Sequence, residues 1–441
     1  MKRVLIITYY WPPTGGSGVQ RWVKFAKYLP SEGWQPVIYT PENPEQLAVD
    51  HTLAKEIGPE AEVVKTRILE PYELYKTVLR KSGHDKEAVE VNPVNAQNKS
   101  FLQKAAMWIR GNFFRPDPRC LWIGPSVRFL KKYIEEHPVD LIVSTGPPQS
   151  MHMIGMKLAA QTGLPWIADF RDPWTRIFYF KHLCMTQATE RWHKKMEKMV
   201  LDNASAVVAV SPLVQDDFQK MTHTPVELIT NGFDECDFEG EPCREAEGGP
   251  ERDFVITHTG LFAADGNPTV LWEVLADKCS RDTKFRKSLK IKLIGKNDRV
   301  ITESIEKAGL GENLIDMGYQ PHSVAVQQQR EASLLILPLR KEPEYKAVLP
   351  GKLFEYLASW RPVLGIGQTD GAMSVVLNTT RTGIVLDWED KVSVARYIDL
   401  CWDSHLKGEL TVADADISRF TRKQLTRRMA ELFDRITRQH S

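Results

Sequence analysis

Residues 349–367 read LPGKLFEYLASWRPVLGIG, and the change of pattern inside this stretch indicates how the chain is built. Pro350 and Gly351 suit the start of a helix, since the first helical turn leaves its N–H groups unpaired and a proline there sacrifices nothing. Past Arg361-Pro362, the run Val363–Ile366 is aliphatic, short and bounded, which is the signature of a strand. A helix feeding a short aliphatic strand is one piece of a βα repeat.

Working outward, the same alternation recurs on both sides. Upstream strands are expected at Val4–Thr8, Pro36–Thr40, Leu141–Ser144, Trp166–Asp169 and Ala206–Val210. A second series is expected at Phe254–Thr259, Lys290–Ile294, Leu314–Met317, Leu334–Leu337, Val363–Ile366 and Gly383–Leu386. Strands alternating with longer amphipathic segments mean parallel βαβ units, so the fold class is α/β with two Rossmann-like halves. At 441 residues the chain exceeds what one core usually organises, which agrees with two domains. The polar, Gly- and Pro-bearing stretch EGEPCREAEGGPERD, residues 239–253, reads as the connection between them. The division expected is 1–235, a linker at 236–252, 253–415, and a terminal amphipathic helix at 416–441, where Phe420, Leu425, Met429, Leu432, Phe433 and Ile436 recur at helical spacing.

Several function classes fall away on composition. No run of about 20 apolar residues is present to span a bilayer, and a formal net charge of +1 excludes a globally basic nucleic-acid binder. The N-terminus MKRVLIITYY lacks the longer apolar region and small-residue site of a cleavable signal, so it reads as a first strand. Six scattered cysteines without a C-x-x-C pair argue against zinc and for free thiols in a reducing cytoplasm. The expected location is therefore cytoplasmic.

Chemistry concentrates at strand ends. Lys352 and Glu355 lie three apart in the first turn of their helix, so a cation and a carboxylate share one face. A carboxylate accepts two hydrogen bonds from the vicinal diol of a ribose, and a lysine beside helix-terminal amides neutralises a diphosphate leaving group. A plain surface ion pair is the competing reading. After the first strand, Thr14-Gly15-Gly16-Ser17-Gly18 precedes an amphipathic helix, and glycines at a helix N-terminus let an anion approach the backbone. The spacing is neither the dinucleotide fingerprint nor a Walker loop, and a tight turn without a ligand fits it as well.

The segment 349–367 resembles the donor-binding helix of family 4 glycosyltransferases, in which K-x-F-E-Y-L-A is followed by a small-residue turn and Pro-Val. Gly15-Gly16, Asn231-Gly232-Phe233-Asp234, Gly260 and Gly295 follow the same order, so the resemblance extends over nearly the whole chain. It implies a GT-B fold, with two Rossmann-like domains facing across a cleft and the terminal helix crossing back to the first. It further implies a nucleotide-sugar donor on the C-terminal domain, an acceptor on the N-terminal domain, retention of anomeric configuration, and no metal or other cofactor. By the resemblance Glu355 binds the ribose, and Lys352 lies near the diphosphate with Gly351 and Gly260. A histidine of the N-terminal domain commonly lies beside the donor sugar, and His152 is the nearest candidate.

Two positions depart from the pattern. The sugar-contacting glutamate expected eight positions before Glu355 is Ala347, and the loop Gly260–Pro268 carries none of the Arg and Lys that grip donor phosphates. An uncompensated diphosphate leaves poorly. Lys296, Arg299, Arg340, Lys346 and Lys352 are the candidates to replace them, with Lys352 and Lys346 preferred.

Other segments carry secondary expectations. At Trp166–Trp174 an apolar strand runs into Asp169, Arg171 and Asp172; either carboxylate could orient an acceptor hydroxyl and Arg171 could bind an anion, or the three could brace the loop. The aromatic and basic segment from Met107 to Lys132 suits contact with the inner face of a membrane, or equally a core with wet cations. Asp414-Ala415-Asp416 resembles a D-x-D metal site, but Asp416 reads as the cap of the terminal helix. The expected function is transfer of a sugar from a nucleotide sugar to a hydroxyl of a bacterial surface glycan or lipid-linked acceptor. A nucleotide-sugar epimerase of the same fold and a non-catalytic nucleotide-sugar-binding protein are the alternatives.

Overall fold

A computed structural model describes residues 1–15, 17–45, 50, 53–70, 108–238, 249, 251–410, 412 and 416–440. The chain divides into two compact units, one of Met1–Thr230 with Leu425–Ser441 and one of Asn231–Gln424.

Unit 1 is built on a seven-stranded sheet in the order β3-β2-β1-β4-β5-β6-β7. Its strands are β1 Lys2–Ile7, β2 Trp34–Pro41, β3 Glu62–Thr66, β4 Leu141–Gly146, β5 Trp166–Phe170, β6 Ala206–Ala209 and β7 Val226–Leu228, all paired in parallel. The accompanying helices are α1 Ser17–Tyr28, α2 Ile123–Glu136, α3 Ser150–Thr162, α4 Gln187–Asn203 and α5 Pro212–Met221. Central strands buried on both faces explain the unbroken aliphatic runs at Val4–Ile7 and Leu141–Val143. The edge strands β3 and β7, absent from the sequence expectation, are half-exposed or three residues long, too little for a hydrophobic run to mark them.

Unit 2 repeats the plan with six parallel strands in the order β10-β9-β8-β11-β12-β13. They are β8 Phe254–Thr259, β9 Leu289–Ile294, β10 Leu314–Gly318, β11 Leu334–Pro338, β12 Val363–Ile366 and β13 Gly383–Leu386. Its helices are α6 Thr269–Arg281, α7 Thr283–Ser288, α8 Arg299–Lys307, α9 His322–Glu331, α10 Gly351–Ala358, α11 Ala372–Thr380 and α12 Lys391–Lys407. Its own core gathers Phe254, Ile256, Trp272, Leu293, Ile336 and Trp402.

The last helix, α13 Arg422–His440, leaves unit 2 and completes unit 1. Leu425, Met429, Phe433 and Ile436 join Val4, Ile6 and Trp34 in one buried cluster, and Phe433 meets Trp34 edge-to-face at 5.2 Å. Lys2 pairs with Asp434 at 2.9 Å. The cap of this helix differs from expectation. Thr421 Oγ1 accepts the Gln424 N–H at 3.3 Å, whereas Asp416 accepts from the Ser418 hydroxyl at 2.7 Å and so stabilises only the preceding turn Ser418–Phe420. Asp414 and Ala415 lie outside the described residues. Among the described residues no helix is long and apolar enough to cross a membrane.

Candidate functional site

In unit 2 the strand order reverses between β8 and β11, and open parallel sheets take ligands beyond the carboxyl ends of such a pair. β8 ends at Thr259, and the chain turns at Gly260 with φ 91°, its N–H donating to the Ile294 carbonyl at 2.7 Å. Gly295, with φ 125°, ends the neighbouring strand, and a Cβ there would collide with the Gly260 carbonyl. Only glycine permits both that backbone angle and that approach.

α10 directs Lys352 onto this turn. Pro350 precedes the helix in an extended conformation and makes no side-chain cap, so side chains leave the first-turn N–H groups uncovered. Lys352 Nζ lies 3.2 Å from His258 Nε2 and 3.2 Å from the Leu261 carbonyl. A Cβ on Gly260 would stand 3.2 Å from the same ammonium. Burial lowers the Lys352 pKa to about 8, with the Glu355 carboxylate opposing it.

Glu355 meets α9 instead. His322 Nε2 lies 3.2 Å from its Oε1, and the Gln329 amide donates to its Oε2 at 3.1 Å. The Gln329 amide also donates to Thr259 Oγ1 at 3.1 Å, which links the carboxylate to the end of β8. Burial raises the Glu355 pKa, but His322, Gln329 and Arg422 outweigh it and hold the carboxyl below its usual range. Lys352 and Glu355 therefore have separate partners rather than forming a surface ion pair with each other.

The remaining cations are placed differently. Lys346, in the turn Pro343–Ala347, pairs with Asp370. Arg340 reaches the Gly260–Pro268 loop but meets Asp265 there at 2.6 Å. Arg299 pairs with Glu303 along its own helix at 2.7 Å, and Lys296 is exposed. Among the described residues, Lys352 is the one of these five whose cationic head lies at the Gly260 turn. Gly351 opens α10 beside it.

In unit 1 the order reverses between β1 and β4. Arg171, just past β5, donates to the Gly18 carbonyl at 2.6 Å and to the Pro147 carbonyl. Its own N–H donates to the Gly146 carbonyl at 2.9 Å. It thereby staples the loops that follow β1, β4 and β5. Gly15 belongs to the first of these loops; Gly16 lies outside the described residues. Burial raises the Asp172 pKa to about 6, against the pull of Arg171.

Asp169 lies in β5, where the sequence put it. It is fully buried and takes four donors: Arg21 Nε at 3.2 Å, an Arg21 terminal nitrogen at 2.8 Å, Trp22 Nε1 at 2.8 Å and Thr145 Oγ1 at 2.9 Å. Burial works against its charge, but Arg21 and the other donors hold its pKa low. A fully buried, weakly basic carboxylate already taken by four donors is out of reach of an acceptor hydroxyl, so Asp169 is a brace, and its partner is Arg21 of α1 rather than Arg171.

His152, on α3, is also fully buried, stacked on Phe170 at 4.2 Å between ring centroids. Trp166 Nε1 donates to Ser144 Oγ at 2.8 Å, and the same oxygen lies 2.9 Å from His152 Nδ1. Its Nε2 has no hydrogen-bond partner among the described residues and lies beside Gly146 and Gln149. Burial pulls the His152 pKa down to about 3, so the ring is neutral near pH 7. Sequence reasoning missed Arg21, His258, His322 and Gln329. For His258 a signal existed, a histidine inside the otherwise apolar or β-branched strand FVITHT, two residues before Gly260.

Comparison with known proteins bears on the fold and on one segment of the chain. Residues 79–235 match the model of Glycosyltransferase Family 4. Sucrose-phosphate synthase of Thermosynechococcus elongatus superposes with a TM-score of 0.64 at 14% identity, covering 99% of each chain. A glycosyltransferase of Rickettsia africae gives 0.60 at 15% identity over 99% of this chain and 98% of its own. Anabaena HepE, solved in complex with UDP-glucose, gives 0.60 at 15% identity over 99% of this chain and all of its own. A search of curated protein sequences finds no match. The two parallel sheets and these superpositions show a GT-B fold, and residues 79–235 carry a likeness to Glycosyltransferase Family 4.

Proposed function

We propose that unit 2 holds a nucleoside-diphosphate sugar and that its sugar passes to a hydroxyl of a glycan or lipid-linked acceptor received by the strand-end loops of unit 1. The observation that carries this reading is α10, which sends Lys352 to the Gly260 turn and Glu355 to the end of β8 from a single helical turn. The ammonium and the uncapped first-turn amides suit a diphosphate, and the ionised carboxylate suits the ribose diol. HepE, solved with UDP-glucose, and Staphylococcus aureus TarM, solved with UDP, support a nucleotide-sugar donor. Lys346, Lys296, Gly351 and Gly260 complete the proposed donor region.

Transfer proceeds with retention and without a metal. The acceptor oxygen attacks the anomeric carbon on the face the phosphate leaves, and the departing phosphate oxygen takes the acceptor proton. Lys352 stabilises the charge growing on that diphosphate. In unit 1, the neutral His152 ring offers its Nε2 to hydrogen bonding, and Asp172 has the proton affinity to orient an acceptor hydroxyl. Gly15 and Arg171 shape that loop cluster. The expected setting is a bacterial cytoplasm at the inner membrane face. Supporting membrane contact, Phe113 is 67% and Trp108 45% exposed, whereas Trp122 and Ile123 of the same aromatic segment belong to the core. In a flotation assay the protein should rise with anionic vesicles, and a Trp108→Ser/Phe113→Ser variant should stay in the dense fraction; equal flotation of both would exclude this surface.

The donor assignment is tested by titrating a panel of nucleotide sugars into wild type, Lys352→Met and Glu355→Ala, with nucleotide release as the activity readout. Both variants should bind about 10-fold or more weakly, the scale of one lost charge-assisted hydrogen bond. Asp172→Asn should bind donor normally and turn over slowly. Unchanged donor binding in both unit 2 variants would refute the assignment.

A further inference from the structure

Resting on the donor site just proposed, we infer that His258 is the positioning residue that makes Lys352 the phosphate cation, holding its ammonium at the Gly260 turn in place of the basic side chain the turn lacks.

His258 lies in β8 at 1% exposure. Its Nδ1 is 3.1 Å from the Ile336 carbonyl of β11. Its Nε2 lies 3.4 Å from the Leu261 carbonyl and 3.2 Å from Lys352 Nζ; an ammonium cannot accept, so Nε2 presents its lone pair there and the proton sits on Nδ1, toward the nearer carbonyl. The group facing that lone pair is Lys352 Nζ at 3.2 Å, which has three N–H donors and no acceptor. Direction is thereby fixed along the whole relay: Lys352 donates to His258, and His258 donates to Ile336. A second ammonium N–H goes to the Leu261 carbonyl at 3.2 Å. The third is left for a ligand. Burial and the neighbouring ammonium both press the His258 pKa well below its usual value, so the ring stays an acceptor at working pH.

This relay joins the two strands at which the sheet order reverses to the first turn of α10. Phe262 packs on the imidazole with ring centroids 4.2 Å apart and sets its plane. A lysine on a flexible four-carbon stem is a poor point of recognition unless its head is held. Two fixed acceptors, one imidazole and one carbonyl, hold it here. Burying an imidazole in a sheet is costly without polar partners, and both of its nitrogens have one.

The test compares His258→Leu, His258→Gln and Lys352→Met by calorimetric titration with UDP, GDP, ADP and dTDP, using whichever wild type binds most tightly. The matching nucleoside, which carries no phosphate, is measured alongside. A glutamine keeps an acceptor near the Nε2 position; leucine keeps none, and both lose the bond to Ile336. His258→Leu should weaken the diphosphate about 10- to 100-fold, the scale of a charge-assisted hydrogen bond. His258→Gln should stay within about threefold on the same scale, and nucleoside binding should be the same in all variants. Equal losses in the leucine and glutamine variants, or a parallel loss of the nucleoside, would show a merely structural histidine. Wild-type affinity in both His258 variants while Lys352→Met is impaired would overturn the inference and leave the donor site standing. Normal binding by Lys352→Met, or no diphosphate bound by wild type, would overturn the donor site itself.

Discussion

The buried Lys352 ammonium is a stronger acid than an ordinary lysine's, and its protonation should govern ligand binding. Its ammonium is the binding form, and burial sets its pKa in the free protein at about 8. Below that value the charge is present and diphosphate affinity should be flat. As pH rises through about 8, affinity should fall by up to about tenfold per unit, because a proton must be taken up on binding. Calorimetry in two buffers of different ionisation enthalpy at pH 8.5 should show that uptake, and Lys352→Met should abolish it. Lys352 and Glu355 were legible in the sequence because three residues of one helix suffice to place them together. Their partners were not. His258 is 94 positions from Lys352, and Arg21 is 148 from Asp169. Such pairs form only when parallel strands bring distant segments to one sheet end, so the sequence left Asp169 open between an acceptor-facing carboxylate and a brace, and Arg21 decides for the brace.

At the scale of elements, the strand ends of unit 2 are organised by glycine. Gly260, Gly295 and Gly318 all have positive φ at the ends of the adjacent strands β8, β9 and β10. Gly295 N–H donates to the Gly318 carbonyl at 2.7 Å, just as Gly260 N–H donates to Ile294. Gly295→Ala should therefore push the Gly260 turn away from Lys352 and cost about 1–3 kcal/mol, the range for a side chain forced into that backbone region. Urea unfolding would report the loss, and diphosphate binding should fall with it; an unaltered Kd would show that the turn tolerates displacement. Central elements were legible from their aliphatic runs, and β8, β12 and β13 fall where the sequence put them. The edge strands β3 and β7 were not, because a strand with one wet face or three residues leaves no such run. The cap of α13 was misplaced for a related reason: Asp416 and Thr421 are both good caps, and only the intervening turn decides between them.

On the scale of the whole molecule, the two units have separate cores, and that separation should be measurable. Phe433→Ala removes a large side chain packed on Trp34 and should destabilise unit 1 by about 3–5 kcal/mol. Scanning calorimetry should then show one transition moving to lower temperature while that of unit 2 keeps its midpoint. A common shift of both would mean that the units melt together. The helix responsible also carries a consequence for synthesis. Unit 1 starts at the first residue, yet residues 425–436 that finish its core are translated after all of unit 2. Chains emerge from the ribosome N-terminus first, and domains generally fold as they appear. Here the earlier-made unit must wait with an open apolar face while the later one closes, so a stalled or truncated chain should present a folded second unit and an unfinished first one to the chaperones of the cell.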